Sequence, residues 1–138
     1  MVGALMYLLD TNIILELLLD QDRADEVEFF LRSTPPEQLY LSEFALYSLG
    51  IILLRRKEYD TFLRAVQDLL VTGGLRLIRL GVDDMPGLVR AAQTFDLDFD
   101  DAYQYAIAER YGLTLVNFDE DFDRADRQRQ TPGEVLRG

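Results

Sequence analysis

There is no cysteine and no histidine among the 138 residues, and lysine occurs once, at Lys57. Without cysteine neither a disulfide framework nor a thiolate zinc site can form, so a reducing compartment, the cytoplasm, is expected. Without histidine there is no imidazole ligand, no Ser/His/Asp or Cys/His arrangement, and no ordinary general base near neutral pH. Any chemistry must run on carboxylates or hydroxyls.

Long apolar runs are also missing. The longest, residues 44–54, is too short to cross a bilayer and is bounded by Glu43 and by Arg55, Arg56 and Lys57. The first residues carry no basic start and no small-residue cleavage site, so no signal peptide is expected. With 49% hydrophobic and 28% charged residues the chain has globular composition, and its length suits one domain spanning 1–138.

What is present is acid. Twenty-five acidic residues against 14 basic ones give a net charge of −11, which would repel a polyanion unless the acids are gathered around a cation. Ten of the 25 lie between Asp96 and Asp126, a stretch whose only basic residues are Arg110 and Arg124.

Apolar patterning predicts an alternation of strands and helices. A strand over 4–9 ends abruptly in Asp10-Thr11-Asn12 and leads to a helix over 13–19. A second helix, 25–31, is stopped by Pro35-Pro36, and a strand follows at 39–41. Residues 43–57 read as a helix apolar on nearly all sides, fit for the core or a subunit contact. Residues 59–71 form another helix, closed by Gly73-Gly74, before a strand at 75–80. A helix through Leu88, one over 102–111 capped by Gly112, and a strand at 113–118 complete the pattern. The tail from about residue 126 is expected to be partly disordered. Such alternation implies a parallel sheet covered by helices on both faces, because parallel neighbours need right-handed helical crossovers.

In open α/β sheets ligands bind beyond the carboxyl ends of the strands, and two predicted strands end there in aspartate, Asp10 and Asp119. Asp121 follows two residues on. Asp101 opens the helix before the last strand, where the helix dipole favours a carboxylate. Each has an ordinary role available as a cap or turn residue. Together on one rim they would raise one another's pKa values, and a divalent ion resolves that repulsion. Oxygen donors alone select Mg²⁺ or Mn²⁺ over zinc, and such ions can activate water and clamp a phosphodiester.

These residues resemble the PIN-domain ribonucleases, in particular the VapC-like toxins of type II toxin–antitoxin modules. The opening signature is Leu8-Leu9-Asp10-Thr11-Asn12; the closing one is Asp101-Ala102, Gly112-Leu113 and Asp119-Glu120-Asp121-Phe122. The resemblance implies a PIN-like three-layer sandwich with a mainly parallel sheet of four to five strands. It implies Mg²⁺ or Mn²⁺ held by Asp10, Asp101, Asp119 and Asp121, with Asn12 steadying Asp10. It further implies a single-strand-specific endoribonuclease leaving a 5′-phosphate and a 3′-hydroxyl, a homodimer, and a cognate antitoxin.

One departure stands out. The family places a glutamate in the helix after the second strand, where this chain has Ser48. Glu43 lies five residues earlier, about 140° around the helix, so it cannot occupy the same place, although it can approach the rim from the strand end. A catalytically weak or inactive PIN-like module that only binds protein is therefore the competing reading. A phosphoaccepting receiver domain would need a lysine after a late strand, which Lys57 does not supply. Arg124, Arg127, Arg129 and the 55–57 cluster are the candidate phosphate contacts.

Overall fold

The computed structural model describes residues 5–119 and 129–137. Its four strands are β1 (Tyr7–Leu9), β2 (Leu39–Ser42), β3 (Arg76–Ile78) and β4 (Thr114–Val116), all parallel, in the order β3-β2-β1-β4. Asp121, Arg124 and Arg127 lie outside the described residues.

The helices are α1 (Thr11–Leu18), α2 (Ala24–Ser33), α3 (Glu43–Arg55), α4 (Tyr59–Ala65), α5 (Met85–Phe95), α6 (Phe99–Tyr111) and α7 (Pro132–Arg137). They sandwich the sheet. Leu8 and Leu115 point into a core shared with Leu88, Ile107 and Ala108 of α5 and α6. Tyr7, Leu9 and Leu41 point the other way, against Ile13, Phe30 and Leu49 of α1, α2 and α3. The twofold alternation of strand side chains thus fills both faces, as a parallel sheet requires.

Several boundaries differ from the sequence reading because caps decide them. Asp10 caps α1, accepting from the backbone N–H of Asn12, so the helix starts at Thr11. Asp98 caps α6, accepting from the N–H of Asp101 at 3.1 Å, which starts that helix at Phe99. Gly112 ends it in the left-handed conformation, φ 67°, as anticipated. The helix expected over 59–71 is α4 continued by a wider π-type turn through Val71.

α3 buries one stripe, Ala45, Leu49 and Leu53, four residues apart. Tyr47, Ile51 and Leu54 are exposed, so its all-round apolarity exceeds what this chain covers. Where the sequence suggests a tail disordered in part from about residue 126, Gln130 bridges Val116 and α7 packs on α2. The backbone N–H of Gly133 there donates to Glu26 at 2.6 Å. Among the described residues no helix is long and apolar enough to cross a membrane.

Candidate functional site

β1 is the point at which the connections diverge: the chain passes from β1 to β2 on one side, and β4 is added on the other. A crevice opens at the carboxyl end of such a switch point. Leu9 pairs with Val116, and the backbone N–H of Asp10 donates to the carbonyl of Val116 at 3.1 Å. Asp10 and the segment 117–119 therefore leave the sheet side by side.

A cavity of about 490 Å³ lies here, lined by Asp10, Asn12, Ser48, Asp100, Asp101 and Gln104 among others. Asp10 comes from the end of β1, Ser48 from the middle of α3, and the last three from the first turns of α6. Asp101 and Gln104 are three residues apart and so share one helix face. Because Asp98 is the cap of α6, Asp101 is not needed for capping, and its carboxylate sits in the first turn, where the dipole favours negative charge.

Asp10 is held from several directions. Gln104 Nε2 donates to its Oδ1 at 2.8 Å, and the N–H of Asn12 donates to its Oδ2 at 3.4 Å. Burial pushes its pKa above the ordinary carboxylate value, against the lowering effect of the Gln104, Asn12 and Thr11 hydrogen bonds; the charge of Asp119 adds to the rise. Although its residue surface is only half-buried, the packed atoms around the carboxylate desolvate it.

The side chain of Asn12 does not reach Asp10. Its Nδ2 donates to Oδ1 of the fully buried Asn117 at 3.0 Å, and its Oδ1 accepts from the N–H of Phe118 at 3.4 Å. Asn117 Oδ1 also accepts from the N–H of Asp119. This network fixes the turn after β4, and with it the approach of Asp119 to Asp10.

The other candidates have different places. Glu43 faces Arg79 across 3.7 Å and is not part of the cavity wall. Arg129 Nη1 donates to the backbone carbonyl of Asn117 at 3.4 Å, tying the chain's end to the β4 turn. Arg55, Arg56 and Lys57 are exposed at the end of α3. Gln104 and Asn117 were not legible as site residues: a neutral amide carries no local signature, and each meets its partner across about a hundred positions of sequence.

Among the described residues, no three acidic side chains gather as a ready-made metal-holding group. The donors around the cavity are nevertheless all hard oxygens, from carboxylate, hydroxyl and amide, which is the chemistry of Mg²⁺ and Mn²⁺. The Oε1 of buried Gln104 has no hydrogen-bond partner. An oxygen-binding cation therefore fits what is there.

The PIN domain profile matches residues 7–128. No curated protein matches the sequence. Among solved structures, VapC20 of Mycobacterium tuberculosis, a toxin that cleaves the sarcin-ricin loop, is 21% identical with a TM-score of 0.74, covering 88% of this chain and 95% of that one. A toxin–antitoxin complex from Klebsiella pneumoniae contains a chain 25% identical, TM-score 0.72, with coverage of 91% and 97%. FitAcB from Neisseria gonorrhoeae is 25% identical, TM-score 0.71, with coverage of 93% and 99%.

Proposed function

The chain belongs to the PIN-domain family, and we propose that it is a Mg²⁺- or Mn²⁺-dependent endoribonuclease, specific for single-stranded RNA, acting as the toxin of a toxin–antitoxin pair. The observation that carries this reading is the desolvated carboxylate of Asp10 at the switch point, sharing one cavity with Asp101 and coupled in charge to Asp119.

In this mechanism Asp10, Asp101 and Asp119 would hold the ion, and Asp121 would serve as a further ligand. When bound, a divalent ion supplies charge neutralisation for the phosphate and acidifies a water for attack on phosphorus. Gln104 orients the Asp10 carboxylate, and the Asn12–Asn117 network holds the backbone of Asp119, so this rim is organised before substrate arrives. Cleavage leaves a 5′-phosphate and a 3′-hydroxyl.

The partners follow from the same reading. A net charge of −11 suits a basic antitoxin segment. The uncovered apolar side of α3, with Tyr47 and Leu54 about half exposed, suits a homodimer.

Cleavage of single-stranded RNA with Mg²⁺ or Mn²⁺ tests the reading. Asp10→Asn and Asp119→Asn are expected to lose activity on the order of a hundredfold or more, since even supporting groups around metals carry up to that factor. Equal activity in the wild type and both variants would reject it.

Ser48 favours one alternative, a PIN-like protein-binding module with little or no catalysis, because a hydroxyl lines the cavity where the family places a carboxylate. Wild-type protein that binds an antitoxin but cuts no RNA with either ion would establish that alternative.

A further inference from the structure

Gln104 lies on the cavity-facing side of α6 and retains only 2% of its exposure. Its Nε2 is engaged with Asp10 Oδ1 at 2.8 Å, while its Oε1 is buried without a partner. The orientation of the amide is fixed by charge: reversing it would set Oε1 against the Asp10 carboxylate. A buried carbonyl oxygen left unpaired is costly and uncommon, and at a functional site it marks the place of a missing cation or water.

The surrounding groups decide in favour of a cation. Asp10 and Asp101 line the same cavity and bring negative charge toward it, whereas the family's glutamate is here a serine. Acidic side chains alone do not form a metal-holding group among the described residues. A neutral oxygen one helical turn from Asp101 makes good part of that deficit without adding repulsion to Asp10.

Resting on the metal-dependent reading above, we propose that Gln104 completes the cation site, holding Asp10 through Nε2 and lending Oε1 as a neutral oxygen ligand in place of the absent glutamate.

Mn²⁺ binding to the full chain, measured by calorimetry and by the loss of the free-ion electron paramagnetic resonance signal, tests this without reference to cleavage. Wild type is expected to bind and Asp10→Asn to lose binding. Gln104→Met, close in shape and lacking both amide atoms, is expected to bind about tenfold more weakly. Gln104→Glu, which keeps an oxygen but removes the donor to Asp10, is expected to bind as tightly as wild type or more so. Circular dichroism confirms that each variant is folded; if Gln104→Met does not fold, the Gln104→Glu result decides alone.

Unchanged affinity in Gln104→Met would overturn the ligand role while leaving the nuclease reading intact. Binding in Gln104→Glu as weak as that expected of Gln104→Met would also overturn it, because an oxygen at this position would then contribute nothing and Gln104 would act only by holding Asp10. Wild-type protein that binds no Mn²⁺ would remove both this inference and the reading beneath it.

Discussion

Asn12 Nδ2 donates to Asn117 Oδ1 over 3.0 Å, joining the first turn of α1 to the residue that follows β4. The two residues are 105 positions apart, and the bond fixes the turn that carries Asp119. Replacing Asn117 by alanine removes the acceptor for both Asn12 and the Asp119 N–H from a fully buried position. The expected cost is about 1–3 kcal/mol, measured by urea denaturation. RNA cleavage should fall with it, by more than the folded fraction accounts for, because Asp119 is no longer steadied.

Asp10 gives a pH dependence whose sign follows from its raised pKa. The native state holds the proton more tightly than the unfolded chain, so metal-free stability is greatest below the unfolded pKa and falls as pH rises through the higher native one. Added Mn²⁺ should oppose that fall. Thermal unfolding across pH 3 to 8 with and without metal is the measurement; metal-free stability rising with pH in wild type relative to Asp10→Asn would contradict it.

The same desolvation makes Asp10→Asn a stabilising substitution in the absence of metal, by about 1 kcal/mol, since a buried carboxylate is replaced by a neutral group that still accepts from Gln104. Activity and stability then move in opposite directions, which a merely structural aspartate would not produce. A lower midpoint in denaturant for Asp10→Asn would assign Asp10 to the fold alone.

Ser48 faces the cavity from the middle of α3. Ser48→Glu places a carboxylate there and should tighten Mn²⁺ binding and raise cleavage by roughly tenfold, about the scale of a group that supports a metal site. No gain in either quantity would show that the site does not need an acid at this position.

Tyr47 and Leu54 are seven residues apart on the exposed side of α3. If they form the homodimer contact, Tyr47→Asp combined with Leu54→Asp should convert dimer to monomer in sedimentation velocity with an unchanged far-ultraviolet spectrum. A monomeric wild type would end the homodimer reading.

Much of the fold was legible because the signals for it are local. The strand runs at 7–9, 39–42 and 114–116 and the helices between them follow from apolar spacing, and Gly112 from its capping role. The start of α6 was read late, since Asp98, Asp100 and Asp101 are chemically alike in sequence and only backbone geometry selects Asp98 as the cap. Helix α7 carried no local signal in the tail, because it is held by a contact with Glu26, more than a hundred residues away.

Composition and apolar spacing set the available chemistry: with neither histidine nor cysteine, oxygen donors were all that remained, and the periodicity of the apolar residues required a parallel α/β sheet with aspartates at its carboxyl edge. That Gln104 holds Asp10, that Asn12 turns to Asn117, and that Glu43 faces Arg79 follow from the packing of distant elements. Local spacing specifies elements and their faces; it carries no information on which neutral amides meet when distant elements pack, and that pairing sets the geometry of this site.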